Sequence, residues 1–567
     1  MHAWLSRIDA HFPVRYLAWL VSAVMALLGT FAWVVTGSGG GWALLGLLLV
    51  GLGWRDTRQQ RHSVLRNYPV IGPSRFLPAF VRPPLRHSFS DSDTDAAPFS
   101  RQQRSLVYQR AKGDADKRPF GTQLDVGVPG YEWINHSMAP TRLDSHDFRV
   151  VIGAGPGTSC TQPYQASVFN ISAMSFGSLS ANAILALNGG AKKGRFAHDT
   201  GEGSISAHHR VHGGDLIWEI GSGYFGCRND DGGFDPDRFV ANARDPQVKM
   251  IEIKLSQGAK PGHGGVLPGP KVTPEIAAAR GVPVGVDCVS PAAHSAFSTP
   301  TELLQFVERL RQLSGGKPTG FKLCIGHPWE WFGICKAMLA TGIAPDFIVV
   351  DGAEGGTGAA PLEFTDHVGA PLQEGLLLVH NTLVGLNLRD RIRIGCAGKV
   401  IGAFDIARAM AIGADWCNSA RGFMFALGCL QAQTCHTGHC PTGVTTQDPA
   451  RQRALFVPDK LERVYRFHEH TLEALKELTQ AAGLRHPNQF RATHIVRRVS
   501  KSDVRLLASL LAFVQPGALL AAIEGRADWP HNVYRLYWPL AAADSFDASG
   551  PLATLSPSSP LPAAQNP

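Results

Sequence analysis

From residue 121 to about 480, short apolar runs alternate with glycine-rich turns and with stretches of helical period. SVFNISAM (167–174), VKMIEIKL (248–255), VPVGVDCV (282–289), GFKLCI (320–325), DFIVVDG (346–352), RIRIGCAG (391–398) and ADWCNSA (414–420) read as buried strands. TPTELLQFVERLRQL (299–313), WEWFGICKAMLATG (329–342) and GAFDIARAMAIG (402–413) read as the helices between them. Strand-then-helix repeated over this length predicts parallel α/β architecture. So many units favour a closed (β/α)8 TIM barrel over an open sheet.

The first sixty residues follow another pattern. No charge occurs between Tyr16 and Trp54. LAWLVSAVMALLGTFAWVV (17–35) is long enough for a bilayer, which needs about 20 apolar residues, and WALLGLLLVGLGW (42–54) is a shorter second span. Trp33, Trp42 and Trp54 suit the interfaces, while Arg7 and Arg15 precede the pair and Arg55, Arg58 and Arg61 follow it. That predicts a transmembrane helical hairpin with both flanks, and the catalytic domain, in the cytoplasm. The expected organisation is a two-helix membrane anchor (1–60), a basic Pro/Ser-rich connector (61–120), the barrel (121–480), a C-terminal helical extension (481–540) and a disordered tail (541–567).

Composition narrows the function. The formal charge is +8 and the pI near 9.0, with arginines gathered between Arg55 and Arg118. No nucleic-acid reading motif accompanies them, so a juxtamembrane role by anionic lipid fits better. Ten cysteines in 567 residues are too sparse for a disulfide scaffold.

A barrel places its chemistry at the C-terminal ends of its strands. There this chain puts Lys254, Lys260 and Lys322, which suits an anion or a carbonyl. The late loops GCAGKV (395–400) and NSARGF (418–423) follow the last two strands, where barrels commonly bind phosphate, and they fit that of flavin mononucleotide (FMN). Close behind come Cys429, Cys435 and Cys440, in the loop 428–449. Three thiolates without a fourth suit an iron–sulfur cluster lacking one iron. Spacing alone leaves zinc open, with His436 and His439 completing the set.

SAMSFGSLS, TGEGS, QGAKPGHGG with LPGPKV, VSP, DGAEGGTGAAP and GC-x5-CHTGHCPTGVTTQDP together resemble the flavin and iron–sulfur domain of glutamate synthase. The resemblance covers roughly residues 120–480. It implies FMN in a TIM barrel, a [3Fe-4S] cluster on Cys429, Cys435 and Cys440, and formation of L-glutamate from 2-oxoglutarate and ammonia. It places Ser172, Met174, Ser175, Gly355, Gly356, Gly358, Gly395, Gly398, Lys399, Arg421 and Gly422 around FMN, with Lys254 or Lys322 near the ring. Lys254, Lys260, Arg280 and Lys322 are its implied catalytic set, with Lys260 and Arg280 gripping a carboxylate.

The departures are informative. Residue 2 is His rather than a cysteine nucleophile, so ammonia would be free or supplied by a glutaminase partner. His263 and Val266 stand where the family usually has Glu and Gln, which puts the oxo acid in question. No G-x-G-x-x-G follows a strand, so ferredoxin or a reductase subunit is the expected electron donor. Two other functions stay open: an FMN/Fe–S oxidoreductase or aminotransfer enzyme on another oxo or amino acid, and a membrane electron-relay subunit.

Overall fold

The computed structural model describes residues 13–75, 97–114, 116–117 and 119–550. Arg82, Arg86 and the part of the expected tail beyond residue 550 lie outside them. The chain divides into two interleaved compact units. One comprises 1–116, 176–193 and 422–467, and the other 117–175, 194–421 and 468–567.

In the first unit, α1 (Leu17–Thr36) and α2 (Gly40–Arg58) form a hairpin. Small residues let their backbones touch: a Cβ on Gly29 would lie 2.5 Å from Ala43 N, and one on Gly46 would lie 2.5 Å from Ala26 N. Leu27, Leu28, Phe31 and Val34 stand exposed on α1. Among the described residues only Val14–Thr36 is long and apolar enough to cross a membrane. The second span expected at 42–54 is helical, but α2 ends on Arg55, Asp56 and Arg58 and falls short of that measure. Within the expected connector, α3 (Arg101–Lys112) starts at a capping box, Ser100 Oγ accepting from Gln103 N.

The second unit is built on a closed barrel of eight parallel strands in sequential order. They are β1 (Phe169–Ile171), β2 (His198–Asp199), β3 (Leu216–Ile220), β4 (Val248–Lys254), β5 (Thr319–Leu323), β6 (Phe347–Asp351), β7 (Arg393–Ala397) and β8 (Trp416–Ser419). Outside lie α4 (Pro236–Ala243), α5 (Pro300–Leu313), α6 (Pro328–Thr341), α7 (Leu372–Gly385) and α8 (Ala403–Ile412). Thr299 caps α5 through Glu302 N with Pro300 at its first position, a start signal visible in the sequence.

Three differences from the sequence-based expectation have physical causes. VPVGVDCV contributes no barrel strand. Val284 and Val286 stay exposed, and only Cys288–Val289 pairs, antiparallel with Val266–Leu267. The short β2 and the charged β3 enter the barrel instead. The expected helical extension supplies two strands, Ile495–Arg498 and Val504–Leu506, which form a sheet with Glu132–Ile134.

The barrel interior is layered by the two-residue period of its strands. An antiparallel ribbon, Arg149–Ile152 with Tyr164–Ser167, supplies Val150, Ile152, Tyr164 and Ala166 to a core shared with Ala197, Ile217, Met250, Phe347, Val349 and Trp416. Two residues further along the strands come Asp199, Glu219, Glu252 and Asp351, and at the end of β4 comes Lys254. Apolar floor thus gives way to a charged layer and then to the mouth.

Candidate active site

At the mouth, Lys254 Nζ lies 3.0 Å from Glu202 Oε2. Glu202 belongs to TGEGS, in the loop after β2, and two glycines make room for it. A Cβ on Gly265 would meet Glu202 Oε1 at 2.1 Å, and one on Gly221 would meet Oε2 at 2.8 Å. Lys260 and Arg280 are 5% and 4% exposed, and both add their charge to the field at Glu202. Burial alone would raise the Glu202 carboxyl. Lys254, by charge and hydrogen bond, with Arg280 and Lys260, holds it below its ordinary value instead. Burial lowers the Lys260 ammonium, and Lys254 adds to the effect against Glu202. Arg280 ends the short helix Pro274–Arg280, its guanidinium 5.0 Å over the Phe225 ring and its Nη1 3.7 Å from Cys288 Sγ. Three cations surround one carboxylate, so the mouth holds an excess of positive charge.

His294 braces the strand end that carries Lys254. Its Nε2 is 2.8 Å from Lys254 O and its Nδ1 3.1 Å from Tyr224 Oη. Burial pushes this imidazole down to about 4. A neutral ring can thus donate to the carbonyl and accept from the tyrosine.

One layer below, Lys322 pairs in register with Lys254 across β5 and β4, yet it meets different company. Its ammonium bonds Glu219 and lies 3.3 Å from Glu252 Oε1, with Asp199 completing the group. Burial would lower this ammonium, but Glu219, Glu252, Asp199 and Asp351 raise it well above its ordinary value. The four lysine and arginine residues expected to act together therefore separate: Lys254, Lys260 and Arg280 join at the mouth, and Lys322 sits beneath them among carboxylates.

The expected flavin-binding residues occupy several strand ends. Ser172 N donates to Ser419 O, joining the ends of β1 and β8, and Met174 and Ser175 pack against Gly201. After β6, Gly355 is half-buried while Gly356 and Gly358 are exposed. Arg421 folds over this loop: a Cβ on Gly356 would meet its guanidinium at 2.4 Å, and its Nη2 lies 3.1 Å from Glu354 O. Gly398 and exposed Lys399 carry positive φ after β7. Gly395 lies within β7, where the Trp416 ring leaves no space for a Cβ. Gly422 is the second residue of the helix Arg421–Leu427. The amides of Ile401 and Gly402, ahead of α8, are both taken by Asp405 Oδ2, so Arg421 and the Gly356 loop are the better-built anion cradle.

In the first unit, Cys429, Cys435 and Cys440 wall one small recess. Tyr108 Oη donates to Cys429 O at 2.5 Å, Asn67 Nδ2 to Pro441 O at 3.0 Å, and Arg15 Nη1 pairs with Asp448 at 3.0 Å. The cysteine loop is thereby fastened to α3 and to the residues flanking the helical hairpin. Among the described residues, the three ligand-type side chains that approach within 4.8 Å of one another are Asp199, Glu219 and Glu252. The three cysteines do not form such a set. Burial would raise the Cys440 thiol, but hydrogen bonds from Thr442 and Thr445 hold it below its ordinary value. Burial pushes Cys429 up to about 12. His436 and His439 are exposed.

Comparison with known proteins gives this geometry a family. The conserved region in glutamate synthase matches residues 146–485. The chain belongs to the glutamate synthase family. Members named glutamate synthase are oxidoreductases acting on CH–NH2 donors, and this family member is an enzyme of that class. It is 36% identical over 498 residues to the glutamate synthase large subunit-like protein YerD of Bacillus subtilis (strain 168), covering 81% of this chain and 94% of that one. The archaeal-type glutamate synthase [NADPH] of Thermotoga neapolitana is 37% identical over 284 residues, 50% of this chain and 53% of that one. The archaeal glutamate synthase [NADPH] of Methanocaldococcus jannaschii is 35% identical over 55% of this chain and 58% of its own length. The chain thus spans just over half the length of these two relatives. Among solved structures, a flavocytochrome b2 mutant with pyruvate bound aligns at TM-score 0.38 and 12% identity, over 74% of this chain and 87% of that one.

Glu202, Asp199, Glu219, Glu252 and His294 went unassigned in the sequence. Two signals were present: a glutamate locked between glycines in TGEGS, and Glu252 and Lys254 two apart at the end of a mostly apolar strand.

Proposed function

We propose that the barrel mouth carries out a glutamate synthase-type reductive amination, converting 2-oxoglutarate and ammonium into L-glutamate and water with two electrons and two protons. The observation that carries this reading is the buried grip of Lys254, Lys260 and Arg280 around an ionised Glu202. Excess positive charge at the C-terminal ends of barrel strands suits a dicarboxylate and not a neutral substrate. Lys260 and Arg280 bind carboxylate. Lys254 donates a proton toward the carbonyl oxygen that leaves as water, and Glu202 accepts one from the incoming ammonium. Arg421 and the glycines after β6 fit the phosphate of FMN, with Ser172, Met174, Ser175, Gly398 and Lys399 around the same strand ends. Bound FMN would supply the electron pair.

The three thiols of the 428–449 loop fit a polynuclear iron–sulfur centre of the [3Fe-4S] type, a one-electron carrier. Loss of iron absorbance and of the oxidised-cluster EPR signal in Cys435→Ser is the expected result, and stoichiometric zinc in place of iron overturns the assignment. The apolar hairpin at 14–58 suits a membrane anchor with the catalytic unit in the cytoplasm. Ferredoxin or a reductase subunit would bring electrons, and a glutaminase partner could bring ammonia.

The decisive experiment is to reduce the purified chain chemically, add 2-oxoglutarate and ammonium, and assay L-glutamate with flavin reoxidation. One observation favours a second substrate: Val266, next to the Glu202 cage, is 43% exposed and pairs with exposed Val289. An oxo acid with an apolar side chain would pack there. Reoxidation by that acid but not by 2-oxoglutarate would keep the chemistry and change the substrate.

A further inference from the structure

The charged layer beneath the mouth takes no part in those steps, yet its titratable side chains are almost wholly buried. Asp199, Glu219 and Glu252 are 1%, 2% and 0% exposed. Lys322 is the cation among them, Asp351 faces the same ammonium from β6, and Lys254 stands beyond Asp351 at the mouth. Lys322 occupies the position a metal ion would need, so the layer is a lysine cage and not a vacant metal site. Three carboxylates and one ammonium, all ionised, would strand two negative charges in a buried layer. Buried groups in that position take up a proton instead.

Hydrogen bonding agrees with the charge count. Asp199 Oδ2 has no hydrogen-bond donor, and Glu252 meets the Lys322 ammonium at 3.3 Å. Asp199 and Glu252 lie close all the same, with an oxygen of each within 4.8 Å of the other. Two carboxyl groups can bond only when one carries the hydrogen that the other accepts. Burial, then the charge of Glu219, pushes Asp199 up to about 7, and burial with Asp199 and Glu219 raises Glu252 well above its ordinary value.

We propose that the Asp199–Glu252 pair stores an exchangeable proton, and that a dicarboxylate entering the mouth draws a further share of that proton onto the pair. An O–H bond forms on one carboxylate, the proton comes from solvent, and no electron moves. The coupling follows from position, because Lys254 and Lys322 are register neighbours and negative charge above them raises the proton affinity below. The reaction proposed above consumes protons and turns a dianion into a monoanion. The store would therefore fill as substrate arrives and empty as charge leaves. The coupling rests on the dicarboxylate reading of the mouth; the stored proton does not.

Infrared spectroscopy of the full chain in detergent, in H2O and D2O, tests the store directly. A carboxylic-acid carbonyl band should be strong at about pH 6, weaken towards about pH 8, and vanish in both Asp199→Asn and Glu252→Gln. Calorimetric titration with 2-oxoglutarate or succinate, in buffers of different ionisation enthalpy near pH 7, should show uptake of up to about one proton, lost in the same variants. No such band in the wild type, or a band unchanged in both variants, overturns the store. If a variant fails to fold, the wild-type pH titration decides. Dicarboxylate binding with equal proton uptake in wild type and variants overturns the coupling. If no dicarboxylate binds, the substrate reading falls with the coupling, and the band still decides the store.

Discussion

Two charged cages share one barrel and differ in sign. At the mouth three cations enclose Glu202; one layer below, three carboxylates enclose Lys322. At the mouth Lys254 and Glu202 keep 11% and 18% exposure, beside Lys260 and Arg280 at 5% and 4%, whereas every side chain of the layer below is at 5% or less. Excess charge near water is a binding device, because a counter-ion can enter and relieve it. Excess charge sealed from water can be relieved only by its own lysine or by a proton. Identical residue types, lysine on adjacent strands in register, thus receive different work from the layer they occupy.

Removing the central ion should break the comparison most severely below. Lys322→Met deletes the cation from a sealed group of acids, and breaking a buried pair in this way costs about 3–5 kcal/mol. Lys254→Met leaves Glu202 with Lys260 and Arg280 and should cost only about 1 kcal/mol of stability while abolishing turnover. Denaturant unfolding of the two variants checks this. Equal losses would mean that the cages are not distinct.

Stability and binding should also separate within the mouth. Lys260 is a cation in an overcharged site, and burial already lowers its ammonium. Lys260→Met should therefore cost no folding stability. A desolvated charge-assisted contact to substrate is worth about 1.5–3 kcal/mol, so KM should rise about ten-fold or more. Steady-state kinetics beside thermal melting would show whether the two effects part.

The sequence made one cage easier to read than the other for a physical reason. Lys254, Lys260 and Arg280 lie near glycine-rich strand ends, where loop composition advertises a site. Asp199, Glu219 and Glu252 lie inside strands, and a single acid in LIWEI or VKMIEIKL reads as an exposed edge until the barrel closes and every strand face is buried. The barrel itself was legible from its alternation. The two shortest contributions were not, since a two-residue strand such as β2 has no period to detect. Of the two expected spans only the first has the length and apolarity to cross a membrane, since the second helix runs on into Arg55, Asp56 and Arg58.

Acid should move the two layers in opposite directions, which gives the smallest and most specific test. Asp199 rises from an ordinary 3.8 to about 7 in the fold. Between those values the folded state holds a proton that the unfolded state releases, so this group's contribution to stability is present at low pH and lost as pH rises to about 7. His294 falls from 6.5 to about 4. Between those values the unfolded state holds the extra proton, so this group's contribution is present above about 6.5 and lost as pH falls to about 4. Other buried histidines, including His198 and His468, share the second sign, and the wild-type curve alone cannot separate them. Difference curves can. Wild type minus Asp199→Asn should slope downward with rising pH across about 4–7, and wild type minus His294→Gln should slope upward across about 4–6.5. The glutamine side chain introduced in the second variant can still donate to Lys254 O, so that change should cost only about 0.5–1.5 kcal/mol at neutral pH. Two difference curves of the same sign would contradict the charge arrangement that distinguishes the layers.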